Sequence, residues 1–200
     1  MTSVVPMAHG SKEYLDGGAL ADAAQRNAFL NQLLSDCGSG NRAAFRRLYD
    51  LTSRFVFGLA TTVLRDRQIA EEVAQEVYVT IWKKAASYNK AKGNPMAWIG
   101  AIARNRAIDR LRAERARGFI DFTDEVPDLA DDSLSAEMAA DAIAVRRVID
   151  GLRPEFRKAL LLSYFNGYTN AELAEVLDVP IGTAKSWVRR GLAAVKEALE

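Results

Sequence analysis

Four polar side chains near the carboxyl end of the chain could contact nucleic acid. Lys185, Ser186, Arg189 and Arg190 follow closely after Thr183. Arginine can bind guanine through two hydrogen bonds, and a hydroxyl group can reach a base edge. We therefore expect Arg190 and Ser186 at base edges. Lys185 and Arg189 are expected at phosphates, which position a protein without reading the base sequence.

A helix-turn-helix is predicted to carry these side chains. Thr169 and Glu172 form a capping box that opens a short helix over residues 170–177. Residues 178–180 make the turn, and Pro180 fixes the entry of the second helix. A helix of this kind with a basic or hydroxyl-bearing outer face fits a major groove, whereas the alternative is a solvated helix with a few surface cations.

The second helix has an apolar stripe that is predicted to face inward. At about 100° per residue, the opposite face centres on Thr183, Ser186 and Arg190. Lys185 is expected nearer the core boundary, and Trp187 is expected to pack on the flank. The stripe consists of Ile181, Ala184, Val188, Leu192, Val195 and Leu199.

A longer basic helix is predicted from Pro95 to about Arg117, with Asn94 as its N-cap. Asp109 and Glu114 are its only carboxylates, and the segment has a net charge of +4. Its cations are Arg104, Arg106, Arg110, Arg112, Arg115 and Arg117.

One strip of this basic helix combines Trp98, Asn105, Asp109 and Arg112. Asp109 is expected to orient both Asn105 and Arg112 along the helix. An amide and an aromatic ring on a basic helix suit opened nucleic acid, whose bases stack and expose their pairing edges. The alternative is a core tryptophan beside a solvated arginine face, and for Trp98 alone that alternative is favoured.

The helix predicted over residues 67–86 exposes a face that could bind a protein. Ile69, Val73, Val77 and Ile81 share its apolar side. The alternative is a charged surface stabilised by pairs such as Glu76 and Lys83. The residues opposite the apolar side are Glu72, Gln75, Glu76, Val79 and Lys83.

The whole chain is predicted to be all-α, because no segment shows strand alternation. We expect a flexible tail over 1–18, a helical domain over 19–117, and a C-terminal helix-turn-helix domain over 137–200. The segment 118–136 contains acidic residues and no lysine or arginine, which is typical of a flexible linker. The first helix is predicted over 19–36, with Gly38 as its C-terminal stop.

Composition argues against several classes of protein. Cys37 is the only cysteine and His9 the only histidine, so neither an internal disulfide nor a Cys/His zinc cluster can form. Without a glycine-rich phosphate loop, the sequence offers no catalytic constellation, and we expect no enzyme, cofactor or metal. No apolar run reaches about 18 residues and no secretory signal is evident, so we expect a cytoplasmic protein without membrane insertion.

Residues 41–199 resemble the extracytoplasmic-function (ECF) group of RNA polymerase sigma factors. The family's opening helix is similar to NRAAFRRLYDLTSRFVFGLA. The segment that docks on the polymerase is similar to RQIAEEVAQEVYVTIWKKA. NPMAWIGAIARNRAIDRLRAERAR resembles the part that melts and reads the −10 element. The segment from LRPEFRKALLL to the C-terminus resembles the domain that reads the −35 element.

The resemblance implies core RNA polymerase, promoter DNA and an anti-sigma factor as partners. The segment before Gly40 is longer than the family's usual start, and its role is left open. The resemblance places the loop 88–93 at the pocket for a −10 base, without individual contacts. The resemblance assigns Glu72, Gln75 and Glu76 to polymerase, Asn105 to an extruded −10 base, and Lys185, Ser186, Arg189 and Arg190 to the −35 element. The helical faces described above add Val79 to the polymerase surface, Arg104, Asp109, Arg112 and Trp98 to the −10 surface, and Thr183 to the −35 surface.

An ordinary helix-turn-helix regulator is the alternative function. Residues 1–117 would then sense a ligand or form a dimer. The basic helix over 95–117 argues against this alternative, because a sensing domain has no need of it. The resemblance also implies that the acidic linker lies inside the polymerase along the path of nascent RNA, and the alternative is a solvated tether between the two domains.

Overall fold

The computed structural model describes residues 23–118 and 145–199, and every regular element in these ranges is helical. This confirms the predicted all-α class. The predicted tail over 1–18 and nearly all of the predicted acidic linker lie outside the described residues. No helix in the described ranges is both long and apolar enough to cross a membrane.

The N-terminal part is a bundle of four helices, with two 3₁₀ turns, Ala85–Ser87 and Lys90–Lys92, between the third and the fourth. Its core is built from aliphatic side chains of all four helices, including Leu33, Leu48, Val77 and Ile99, which are fully buried. The helices are α1 (Ala23–Gly38), α2 (Arg42–Leu64), α3 (Arg67–Lys84) and α4 (Pro95–Ala116).

Side-chain caps fix where three of these helices begin. Asn41 accepts from two backbone amides at the start of α2, and Asp66 accepts from the Ile69 amide at the start of α3. Asn94 accepts from the Met96 amide at 2.7 Å, with Pro95 at the first helical position. The predicted start of α4 is confirmed.

Helix α1 ends at Gly38, where its stop was predicted, but Gly38 is not the left-handed residue that usually ends a helix. Gly38 is still helical, and the left-handed residue is Gly40, with φ of 83°. A Cβ atom at Gly38 would lie 2.9 Å from the Cα atom of Ala86, which is closer than real Cβ contacts come. Gly38 therefore allows the end of α1 to contact the backbone of the first 3₁₀ turn.

The C-terminal part contains a helical segment over residues 145–151 and three further helices. Leu162, Tyr168, Leu173 and Ala184 form one buried cluster, and a second is centred on Leu160 and Leu161. The helices are α5 (Pro154–Tyr164), α6 (Asn170–Val176) and α7 (Ile181–Leu199).

The predicted inward stripe of α7 is wrong at two positions. Ile181 is 56 % exposed and Leu192 is 46 % exposed, although both were expected to face the core. Gly191 is buried instead, and a Cβ atom there would lie 3.1 Å from the Leu160 side chain. The buried face of α7 is thus rotated toward Gly191, because its missing side chain lets α7 approach α5 closely.

Candidate nucleic-acid and polymerase interfaces

The capping box at the start of α6 is confirmed. The Thr169 hydroxyl accepts from the Glu172 amide at 3.2 Å, and the Glu172 carboxylate accepts from the Thr169 amide at 2.6 Å. The hydrogen bond from the Thr169 backbone lowers the pKa of Glu172, with Arg112 and Arg115 adding to the effect. After α6, Asp178 adopts a left-handed conformation with φ of 51°, which turns the chain into α7.

The exposed side of α7 is basic but differs from the predicted face. Lys185 and Arg189 are exposed, whereas Thr183 and Ser186 are half-buried. Lys185 therefore does not lie at the core boundary, where it was predicted. The rotation of the buried face toward Gly191 explains the position of Lys185, since it carries both Lys185 and Arg189 outward.

Aromatic rings of α5 and α7 support the flank of this basic side. The Arg190 guanidinium is exposed and lies 5.6 Å from the centroid of the Phe156 ring. Trp187 is half-buried, and its ring lies 6.4 Å from the same Phe156 ring. The expected packing role of Trp187 agrees with this contact.

The predicted outer face of α3 is exposed in the structure. Glu72, Gln75, Glu76 and Lys83 all lie at the surface, and Val79 is a large apolar side chain that remains 53 % exposed. The polar and charged side chains of this face therefore surround one exposed apolar side chain.

Two carboxylates of this α3 face pair with α4. Glu76 Oε2 lies 3.1 Å from Arg106 Nε, and Glu72 Oε2 lies 3.1 Å from an Arg110 terminal nitrogen. Arg110 also donates to buried Glu114 at 2.6 Å. The acidic face of α3 and the basic helix α4 are therefore electrostatically linked, and Glu76 pairs with Arg106 instead of with Lys83, its partner in the alternative interpretation.

The predicted orienting role of Asp109 does not match the contacts of its neighbours. Asn105 is exposed, and its side-chain oxygen accepts from Arg104 Nη1 at 3.3 Å. Arg112 donates instead to the carbonyl oxygen of Gly167, in the C-terminal part. Asp109 is exposed beside these groups. Asn105 thus contacts its neighbour Arg104, and Arg112 contacts a residue distant in sequence, in place of the expected pairing of both with Asp109.

Three arginines of α4 bind backbone carbonyl groups at the end of α5 and in the turn after it. We call this set of bonds the interdomain contact. Charged donors make hydrogen bonds stronger than neutral ones. The bonds run from Arg104 Nε to Tyr164 O (2.8 Å), Arg104 Nη2 to Ser163 O (2.7 Å), Arg112 Nη2 to Gly167 O (2.9 Å) and Arg115 Nη1 to Asn166 O (2.7 Å).

Aromatic and aliphatic groups add to the interdomain contact. The Arg104 guanidinium lies 4.5 Å from the Tyr164 ring centroid, and burial lowers the pKa of Arg104. Gly167, at φ of 70°, approaches Ile108 so closely that a Cβ atom would lie 3.1 Å from the isoleucine Cδ1. Arg104 and Arg112, predicted to contact −10 DNA, are thus engaged by the C-terminal part.

Trp98 is half-buried against the N-terminal core, as the favoured interpretation predicted. Its ring centroid lies 5.2 Å from that of Tyr88, in the loop 88–93. The Tyr88 hydroxyl donates to Asn31 Oδ1 of α1 at 2.6 Å and lies 3.1 Å from the Gly93 carbonyl oxygen. Sequence reasoning missed Asn31, because a contact between residues 57 positions apart leaves no periodic signal.

No cluster of histidine, cysteine and carboxylate side chains in the described ranges could hold a metal ion. Cys37 is buried, and burial raises the pKa of its thiol to about 11. A buried thiol with a raised pKa is a poor nucleophile, so Cys37 is a core side chain.

Two family models match the chain in the order that the helices suggest. The model for Sigma-70 region 2 matches residues 48–117, and the model for Sigma-70, region 4, matches residues 142–195. The first range ends with α4, and the second contains the helix-turn-helix.

Relatives match nearly the whole chain. The ECF RNA polymerase sigma factor SigK of Mycobacterium ulcerans is 37 % identical over 182 residues, covering 88 % of this chain and 96 % of its own. SigK of Mycolicibacterium vanbaalenii is 33 % identical over 189 residues, covering 91 % and 95 %. Among solved structures, Rhodobacter sphaeroides SigE in complex with the anti-sigma ChrR is 29 % identical, covering 85 % of this chain and 96 % of that one, with a TM-score of 0.43. The chain belongs to the ECF group of RNA polymerase sigma factors.

Proposed function

We propose that this sigma factor docks on core RNA polymerase through α3, reads the −35 element through α7 and reads the opened −10 element through α4. As a sigma factor it directs promoter-specific initiation and carries out no covalent chemistry. The observation that carries the residue-level proposal is the helix-turn-helix, whose capped α6 presents α7 with its basic side exposed.

Polymerase docking is assigned to Glu72, Gln75, Glu76 and Val79. An exposed apolar side chain within a polar rim supplies the burial that a protein interface needs. We expect a Gln75→Ala/Val79→Ala double variant to weaken binding to core polymerase about tenfold, a typical cost for interface side chains. Its matched control is Glu71→Ala/Lys84→Ala, which alters two other exposed positions of α3. Equal affinities of the two variants would contradict the assignment.

Recognition of the −35 element is assigned to α7. Lys185 and Arg189, as the outward cations, would bind phosphates, and Arg190 would reach a base edge from its position over Phe156. Thr183 and Ser186 are half-buried and would contribute at the edge of the interface.

Recognition of the −10 element is assigned to Asn105, Arg104, Asp109, Arg112 and Trp98 together with the loop 88–93. Capturing a flipped base must offset a few kcal/mol of lost stacking and pairing. Asn105 is exposed and would read such a base. Trp98 would stabilise the loop 88–93 through its contact with the Tyr88 ring. Arg104 and Arg112 would have to leave the interdomain contact before they could bind DNA.

Run-off transcription with purified core polymerase tests the proposal as a whole. Promoter-specific transcripts should appear only when this chain is present. They should be lost from templates in which either promoter element is scrambled. A dimer that footprints promoter DNA without polymerase, and yields no transcript with it, would support the alternative regulator instead.

Control by an anti-sigma factor and a cytoplasmic location also belong to the proposal. The family resemblance supports both, since such inhibitors cover the polymerase and DNA surfaces of ECF factors. Adding the anti-sigma factor to the run-off assay should abolish the transcripts. Removing it should restore them. Fractionation of cells should recover the chain with RNA polymerase and DNA.

A further inference from the structure

Helix α1 lies before the residues that the region 2 family model matches, yet it is built into the N-terminal core. Leu30, Leu33, Leu34 and Cys37 are all buried, so one side of α1 is fixed by packing. Asn31 lies beside this buried side and is itself half-buried. Its amide therefore occupies a fixed position relative to α4.

The Asn31 amide holds the loop 88–93 through Tyr88. The Tyr88 hydroxyl donates its proton to Asn31 Oδ1 at 2.6 Å and lies 3.1 Å from the Gly93 carbonyl oxygen, so it holds the far end of the loop close to α1. Trp98 packs against the other side of the ring, with 5.2 Å between the centroids. The same Tyr88 ring is thus held by α1, by its own loop and by α4.

A second contact between α1 and this region involves backbone atoms. Gly38 packs against the 3₁₀ turn Ala85–Ser87 so closely that a Cβ atom would lie 2.9 Å from the Ala86 Cα. The chain entering the loop is therefore fixed by the end of α1, and Tyr88 is fixed by its middle. The contacts made by Asn31 and Gly38 lie more than one turn apart along α1. Together they fix both the position and the direction of the loop.

We propose that α1 is a positioning element for base selection, in which Asn31 acts through Tyr88 to set the shape of the −10 pocket. This inference rests on the proposed function of the loop 88–93. A part-buried hydrogen bond at the base of a short loop favours one of the loop's conformations, because the other conformations lose the contact between the Tyr88 hydroxyl and Asn31. Loss of that bond should therefore widen base selection and leave the fold and polymerase binding intact.

The test compares single-base variants of the −10 element in run-off transcription with reconstituted holoenzyme. Asn31→Ala and Tyr88→Phe should each reduce the ratio of rates on preferred and non-preferred bases by about twofold to tenfold, the usual worth of one hydrogen bond. The double variant should be no worse than Tyr88→Phe alone, since that variant already removes the bond to Asn31. Asn31→Asp, which keeps an acceptor for the Tyr88 hydroxyl, should retain the ratio.

Gln32→Ala is the matched control, because Gln32 is exposed on α1 and bonds to Asp36 of the same helix. All variants should still unfold in one cooperative transition, with at most a small decrease in melting temperature, and the affinity for core polymerase should be the same. If Asn31→Ala lowers transcription equally on every −10 variant, the positioning role is refuted while the proposed function stands. If wild-type protein yields no promoter-specific transcript, the proposed function fails, and the inference fails with it.

Discussion

The guanidinium of Arg104 lies 4.5 Å from the ring centroid of Tyr164 and donates to the carbonyl oxygen of that same residue at 2.8 Å. The two residues are 60 positions apart and belong to different parts of the chain. Arg104 is therefore both a residue of the proposed −10 surface and the centre of the interdomain contact.

Removing the Arg104 donors should separate the two parts of the molecule. Arg104→Met keeps much of the side-chain length and removes hydrogen bonds that, for a charged donor, are worth about 1.5–3 kcal/mol. The docking equilibrium should shift about tenfold to a hundredfold toward the separated form. Small-angle scattering should then give a larger radius of gyration than for wild type.

Arg106→Met is the control for this experiment. Arg106 also lies on α4, but its carboxylate partner Glu76 belongs to the same N-terminal bundle. Its loss should leave the radius of gyration unchanged. Equal expansion of both variants, or of neither, would contradict the assignment of Arg104 to docking.

The basic side of α7 predicts a specific salt dependence. Each phosphate contact releases counterions, so removing one should weaken DNA binding at every sequence and reduce the slope of log K against log salt by about 1. We expect this result for Arg189→Gln in holoenzyme titrated with promoter DNA. Lys196→Gln, in the last turn of α7, should keep the wild-type slope. A wild-type slope for Arg189→Gln would remove Arg189 from the phosphate contacts.

The capping box of α6 predicts a loss of stability on truncation. Thr169→Ala should lower the free energy of unfolding by about 1 kcal/mol, the usual cost of losing an N-cap. Urea unfolding followed by circular dichroism at pH 7 measures this change. Unchanged stability would mean that the bond between the Thr169 hydroxyl and the Glu172 amide contributes nothing in solution.

The same capping box predicts a dependence on pH. The pKa of Glu172 is lowered in the folded chain, chiefly by the Thr169 amide. Its contribution is present above the ordinary carboxyl pKa of about 4.3 and is lost as the pH falls through the lower folded value. Glu172→Gln should therefore show a smaller decrease in stability on acidification than wild type. Glu175→Gln, at an exposed position of the same helix, should behave as wild type.

Burial of Cys37 predicts very slow alkylation. With a pKa of about 11, only about one thiol in a thousand is ionised at pH 8, and the side chain is 2 % exposed. Iodoacetamide should modify the native chain at least about a hundredfold more slowly than the urea-unfolded chain. A Ser35→Cys variant, with a new thiol on the exposed side of α1, should react rapidly at that site alone. Rapid reaction at Cys37 would mean that α1 is not packed in the core.

The local features were predictable from sequence because they depend on neighbouring residues. The Asn94-Pro95 start of α4 and the capping box of Thr169 and Glu172 are encoded within four residues each, and both are confirmed. The exposed face of α3 followed from its periodicity, since Val73, Val77 and Ile81 are fully buried opposite it.

Contacts between distant segments were not predictable in this way. Ile181 and Leu192 were placed in the core because apolar spacing does not reveal that Gly191 brings α7 close to α5. Arg104 and Arg112 were assigned to DNA alone, because nothing in the periodicity of α4 indicates partners more than 50 residues away.

The geometry of Arg104 makes the interdomain contact and the proposed −10 contact mutually exclusive. Its donors cannot satisfy the Ser163 and Tyr164 carbonyls and contact nucleic acid at the same time. The apparent affinity of α4 for an opened strand is then the intrinsic affinity multiplied by the fraction of molecules in which the contact is broken. If one molecule in about a hundred is open, binding is weakened about a hundredfold, and any ligand that favours the open form recovers that factor without touching the DNA.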